Sequence, residues 1–207
     1  MRQAELPPEG ESILAPLPEV DREEEFRRRV WEYHRGHRRP MEWRDNITSY
    51  GVFVSEVMLQ QTQVNRVAER YPRFLRRFPS FESLATAPLK DILEEWSGLG
   101  YNRRARFLHE AAKRIVAEHD GCLPADPEAL ESLPGIGSNT AGSIVAFAYN
   151  KPVVFLETNI RTVYIYYFFP NRDGVRDQEL LSLLERTLSR EHAREWYYGL
   201  MDLGVFI

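Results

Sequence analysis

The stretch that most restricts how this chain can fold is 133–159, LPGIGSNTAGSIVAFAYNKPVVFLETN. Within it, Pro134-Gly135-Ile136-Gly137 is a sharp connection with a glycine on each side of one apolar residue. A helix start follows at once, with Ser138 expected as the N-cap and an Ala/Ile/Val-rich body behind it. Upstream, Asp126-Pro127 reads as another helix start, a capping aspartate with proline in the first turn. The expectation is therefore helix, tight hairpin, helix over 127–150. Backbone N–H groups left bare at such a helix N-terminus suit a phosphate. Beyond the hairpin an apolar run ends in Glu157-Thr158-Asn159.

The rest of the chain reads as helices. Phe26, Val30, Trp31 and Tyr33 recur at helical spacing over 22–34, with Gly36 as the expected stop. A helix over 49–65 carries Glu56 among Val52, Phe53, Val57, Met58 and Leu59, and another runs over 67–78. Short helices follow at 80–85 and 88–96, the second stopped by Gly98 and Gly100. The 103–119 stretch is amphipathic, with Leu108, Ala111, Ala112, Ile115 and Val116 on one face. By propensity alone 158–169 suits a strand. No second run alternates, however, and 177–189 and 191–207 close the chain as helices, so the fold class is all-α.

Charge is unevenly spread. Residues 1–25 hold eight acids against Arg2 and Arg22, a net −6, so the formal −4 of the whole leaves +2 on 26–207. Together with four prolines in 1–20, this predicts a disordered acidic tail over 1–25. Arginine dominates the bases, in runs at 27–39, 66–77 and 103–106; a single run of this kind is ordinarily a solvated helix face. Cys122 is the one cysteine of the 207 residues, which excludes intramolecular disulfides and any cysteine-only metal site within them. No apolar run reaches membrane-spanning length, and a reducing, cytoplasmic location is expected.

Three groups carry candidate chemistry. Glu56, flanked by apolar neighbours, suits a general acid that stays protonated, or is a buried glutamate bonded to a nearby helix end. Gln60, Gln61 and Gln63 are either polar probes for base edges or exposed helix surface. Leu99-Gly100-Tyr101 is a glycine turn ending in an aromatic, either a core plug or a wedge that stacks on a base.

VSEVMLQQTQV (54–64), WSGLGYNRRARFLHEAA (96–112) and LPGIGSNTAGSIVAFA (133–148), in this order, closely resemble the MutY-type adenine DNA glycosylases of the helix-hairpin-helix superfamily that includes endonuclease III. The resemblance covers roughly 26–207. It implies a two-lobed all-α fold, with a six-helix lobe over 46–151, a second lobe joining 26–45 to 152–207, and a DNA-binding cleft between them. It also implies a monomer working on double-stranded DNA that carries a mismatch or lesion, in the nucleoid.

By the same resemblance, Glu56 matches the acid that protonates departing adenine at N7. Gln60 or Gln61 matches the glutamine inserted into the duplex, and Tyr101 the tyrosine wedged beside the lesion. Gly135, Gly137, Ser138, Asn139 and Thr140 match the phosphate-gripping hairpin, where the carbonyls of Leu133 and Ile136 would hold a monovalent cation. Glu157 and Asn159 fall on the Asp-x-Asn pattern whose aspartate stabilises positive charge on the sugar.

Departures from the family pattern qualify these implications. Glu157 is one methylene longer than the aspartate, about 1.5 Å of reach. Asn139 stands where endonuclease III has its Schiff-base lysine, which implies a monofunctional enzyme without lyase activity. The four-cysteine iron–sulfur site is missing from 1–207, so no cluster is expected, and neither is the C-terminal 8-oxoguanine-recognition domain. The reading is a monofunctional glycosylase removing adenine mispaired with 8-oxoguanine or guanine. Two alternatives stay open: a glycosylase for another damaged base, and a DNA-binding module without catalysis.

Overall fold

The computed structural model describes residues 13–207, and over them the chain is helix, turn and coil with no strand. It divides into two units, one formed by the residues up to Arg39 together with Leu156–Ile207, the other by Pro40–Phe155. The boundaries fall a few residues outside the expected 46 and 151.

The Pro40–Phe155 unit contains α2 (Glu42–Asp45), α3 (Ser49–Leu59), α4 (Val64–Arg77), α5 (Phe81–Thr86), α6 (Leu89–Trp96), α7 (Arg103–His119), α8 (Pro127–Glu131) and α9 (Ser138–Tyr149). The expected six-helix lobe thus undercounts. Seven of these helices lie within 46–151, because short stretches such as α8 are closed by local caps: Asp126 accepts the Ala129 N–H at 2.9 Å and Pro127 opens the helix. Helix α3 is buried at Tyr50 to Ser55 and again at Val57 and Met58, so it runs through the middle of the unit. Helices α2, α4, α7 and α9 pack around it. Phe53, Met58, Phe74, Trp96 and Ile144 are fully buried in the shared core.

The helix expected over 49–65 breaks in two. Helix α3 stops at Leu59, Gln61 takes φ +53, and Gln63 caps a new helix. Likewise Ser138 is not the cap of α9; Gly137 holds that position in extended backbone and Ser138 is the first helical residue. Gly36 does not end the first helix either, which continues to His37.

The other unit contains α1 (Arg22–His37), α10 (Thr158–Phe168), α11 (Asp177–Thr187) and α12 (Ala193–Phe206). Helix α10 has strand-like composition but buries Ile160, Val163, Tyr164 and Tyr167. That helical period overrides the β-branched preference. Phe26 is fully buried, with the rings of Tyr164, Tyr167, Phe168 and Trp196 within 6.0 Å between centroids.

The expected tail over 1–25 is corrected for 13–25. Ile13 is buried and its carbonyl accepts the Tyr167 hydroxyl at 2.6 Å; the Leu14 carbonyl accepts Tyr166 at 2.8 Å, and Arg29 binds the Ala15 carbonyl. Here buried hydroxyl and guanidinium groups hold a segment that its composition marks as loose. The remainder of that expectation, 1–12, lies outside the described residues.

One contact in this unit sets a stability test. A Cβ on Gly204 of α12 would come within 2.5 Å of the Asn159 carbonyl oxygen and 2.8 Å of its carbonyl carbon. Backbone cannot step aside as a flexible side chain can. Gly204→Ala is therefore expected to lower stability by roughly 1–3 kcal/mol, the usual cost of overpacking, read as a shift in urea midpoint.

Candidate active site

In the Pro40–Phe155 unit three turns are linked by side-chain bonds. The first is 60–63, following α3. Gln60 turns inward, its Nε2 donating to the Gly135 carbonyl and to Thr140 Oγ1, both at 3.2 Å. Gln61 is exposed on left-handed backbone. Of the two glutamines, Gln60 therefore joins its turn to the hairpin, and Gln61 is free to project. The second turn is 97–101, where Gly98 (φ +93) and Gly100 (φ +75) reverse the chain. Tyr101 follows with φ +48 and is 64% exposed, which rules out a core plug. Thr62 Oγ1 donates to the Leu99 carbonyl at 3.1 Å, joining the two turns.

The third turn is the hairpin. Gly135 has φ +77, and a Cβ there would come within 2.8 Å of the Phe107 ring, so glycine is required twice over. Arg103 lies 4.8 Å from the centroid of that same ring. Leu133 and Ile136 are buried, the Leu133 carbonyl accepting the Ile136 N–H at 3.2 Å; a second lone pair remains on that carbonyl, which fits a cation. Gly135, Gly137, Ser138 and Asn139 are exposed and Thr140 is half-buried.

Each turn leads into a helix, and none of α4, α7 or α9 has an acid in its first turn. Arg66 opens α4, while Arg103 and Arg106 open α7, all exposed. Cations there oppose the helix dipole, whereas α1 and α11 follow the usual preference with Glu23, Glu24 and Glu25 and with Asp177 and Glu179. Positive charge at helix N-termini is a poor choice for stability and a good one for holding anions.

Glu56 lies on α3, one turn of helix before the first of these turns. It is half-buried on α3, and Ser143 of α9 donates its hydroxyl to Oε2 at 2.6 Å. The same Ser143 oxygen lies 3.0 Å from the Thr140 carbonyl. Its carboxyl is thus fixed by the helix that the hairpin starts.

Glu157 and Asn159 belong to the other unit. Glu157 is the N-cap residue of α10, without a well-formed capping bond. Burial pushes its carboxyl above the ordinary value of 4.5; the Asn159 side chain and the amides of Asn159, Ile160 and Thr158 oppose that shift without cancelling it. Oε1 is buried with no hydrogen-bond partner. The free protein therefore resists charge at Glu157. Asn159 is half-buried, its backbone under Gly204.

Sequence reasoning missed Ser143, Phe107 and Arg104. Ser143 lies within the Ala/Ile/Val body of α9, and Arg104 within an arginine run; neither setting signals a buried polar role.

Residues 54–188 match the HhH-GPD superfamily base excision DNA repair protein family. An adenine DNA glycosylase of Buchnera aphidicola subsp. Baizongia pistaciae is 36% identical over 176 residues, 84% of this chain and 50% of that protein. One of Mycobacterium tuberculosis is 39% identical over 182 residues, 84% of this chain and 59% of that protein. The chain thus spans between half and three-fifths of the length of these relatives. Among solved structures, a thermostable thymine-DNA glycosylase superposes with a TM-score of 0.83 at 24% identity, covering 89% of this chain and 87% of that one. A non-covalent endonuclease III–DNA complex gives 0.72 at 17% identity, covering 86% and 84%. At these identities the likeness is one of fold.

Proposed function

We propose, for a chain that belongs to the HhH-GPD superfamily of base excision DNA repair proteins, that it is a monofunctional DNA glycosylase releasing adenine from a mispair in duplex DNA. The observation that carries this reading is the Glu56–Ser143 bond at 2.6 Å, which ties a half-buried acid to the helix of the phosphate-gripping hairpin. A duplex held at Gly135–Thr140 then lies beside a proton donor. Breaking the N-glycosidic bond puts negative charge on the base and positive charge on the sugar. Glu56 protonates N7 and relieves the first; the Glu157 carboxylate, oriented with Asn159, stabilises the second at C1′. Water completes the hydrolysis at the sugar.

The adenine has to leave the stack to reach Glu56. Gln61 fills the gap it leaves and Tyr101 wedges beside the opposing base, while Arg66, Arg103 and Arg106 face the backbone. A monovalent cation on the Leu133 and Ile136 carbonyls would add positive charge to the phosphate grip. Asn139 has no amine for a Schiff base, so strand cleavage does not accompany base release. The partner base is proposed to be 8-oxoguanine or guanine.

Single-turnover assays test this on duplexes with adenine opposite 8-oxoguanine, adenine opposite guanine, and a panel of other damaged bases. Adenine release without strand scission is expected. Product from another base alone, or binding with no product, overturns it. Affinity should fall steeply with salt: if the hairpin and three arginines neutralise about four phosphates, a fourfold rise in salt costs roughly 10²-fold in affinity.

A further inference from the structure

Arg104 sits in an arginine run yet is 8% exposed, its guanidinium turned inward. Nη1 donates to the Val57 and Met58 carbonyls at 2.9 and 2.8 Å. Nη2 donates to Thr62 Oγ1 at 2.7 Å and to the Leu99 and Gly100 carbonyls at 3.2 Å each. None of these five acceptors is a carboxylate, and burial lowers the Arg104 pKa. Its countercharge is instead the negative end of α3, where Val57 and Met58 are among the last carbonyls. The cation also lies 5.4 Å from the Trp96 ring centroid and 5.6 Å from that of Tyr101. Trp96 Nε1 donates to the Gly100 carbonyl at 3.1 Å, completing the cluster.

Burying a cation with no acid beside it is costly, so the arrangement calls for a reason beyond filling space. The acceptors supply one, since they come from the end of α3, from the 60–63 turn and from the 97–101 turn. Each turn carries one exposed side chain on left-handed backbone that is not glycine: Gln61 at φ +53 and Tyr101 at φ +48. Such conformations persist only where their surroundings over-determine them. We infer that Arg104 is a positioning residue that locks the two turns into one block, so that Gln61 and Tyr101 enter the duplex as a pair of fixed spacing. This rests on the glycosylase reading for its substrate, and it adds a residue that touches no DNA itself. A lysine cannot replace it, because a point charge has no planar fork to reach both sides at once.

The test uses Arg104→Lys and Thr62→Val in the full chain, each checked for a cooperative melt and assayed well below its midpoint. A duplex with 2-aminopurine in place of the target adenine reports extrusion by its fluorescence. Arg104→Lys is expected to lose most of the extrusion signal and about 10²-fold in single-turnover release, the usual scale for misplacement by an ångström. Affinity for an undamaged duplex should stay within twofold, since the phosphate-facing groups are untouched. Thr62→Val should show a smaller loss in the same direction, about tenfold, because it removes the bonds of Thr62 Oγ1 to Leu99 and Arg104 but leaves Arg104 tying the end of α3, which leads into the 60–63 turn, to the Leu99 and Gly100 carbonyls.

A folded Arg104→Lys protein with extrusion and release within twofold of the parent overturns the inference. If that variant fails to fold, Thr62→Val decides: parental extrusion overturns the inference and reduced extrusion supports it. A parent that extrudes 2-aminopurine but releases no base defeats the glycosylase reading alone, and the extrusion amplitudes of the variants still judge Arg104. A parent that gives no extrusion signal overturns the inference as well.

Discussion

Glu56→Gln is expected to release adenine about 10³-fold more slowly than the parent, within the range that a positioned general acid contributes. The substitution removes the proton and little else. Glutamine keeps the volume and the branch point, and its amide oxygen still accepts from Ser143, which donates to the acid at 2.6 Å. Melting temperature and affinity for the mispaired duplex should therefore match the parent. Single-turnover release measured beside affinity separates the two effects. A rate within threefold of the parent would remove Glu56 from the mechanism. A lost melt would mean that the carboxyl instead supports the contact between α3 and α9.

Glu157→Gln should move activity and stability in opposite directions. The carboxyl is pushed above its ordinary 4.5 by burial, and Oε1 has no partner. An acid whose folded pKa exceeds its unfolded value holds more protons folded than unfolded between the two. Its contribution to stability is therefore present at low pH and falls as pH rises through that window. At neutral pH the parent carries that cost. Glutamine, neutral at every pH, removes it, so the variant is expected to melt higher than the parent at pH 7 and to lose the difference as pH drops toward 4. On the proposed mechanism, base release should nevertheless fall about 10²-fold, because the sugar cation would lose its facing charge. A carboxylate poorly solvated in the free protein gains most from a cation at C1′, which is how one side chain can weaken the fold and drive the reaction. Thermal melts at pH 4 and 7, run with single-turnover release, check both halves. A variant that is less stable at pH 7, or that keeps parental activity, contradicts this account.

How much of this was legible in the sequence depended on how local each cause was. Asp126-Pro127 and Pro134-Gly135-Ile136-Gly137 announced the hairpin because caps and left-handed glycines act within four residues. The break after Leu59 was hidden: Gln60 to Gln63 contain no glycine or proline, and the turn exists because Gln60 and Thr62 find acceptors at Gly135, Thr140 and Leu99. For the same reason the motif left Gln60 and Gln61 interchangeable, and their separate roles followed from those bonds. Ser138 looked like a cap by residue type, but with Gly137 already extended ahead of it no side-chain cap was formed. The burial of Arg104 had no local sign, since its acceptors lie on α3 and on two turns. Residues 13–20 were misread for the opposite reason: composition speaks for the segment alone, while Tyr166, Tyr167 and Arg29 hold it from elsewhere.

The division of the chain has a consequence during synthesis. Helix α1 leaves the ribosome before the other described helices, but the groups that cover Phe26 and Val30 lie on α10 and α12, later in sequence than all of Pro40–Phe155. Ile13 waits 154 residues for the Tyr167 hydroxyl that holds it. At ordinary translation speeds that gap is on the order of ten seconds, ample for the intervening helices to close on α3. The nascent chain thus has its middle folded while the apolar face of α1, with Phe26 and Val30, is still unpartnered, and that face is what a chaperone would shield in the interval.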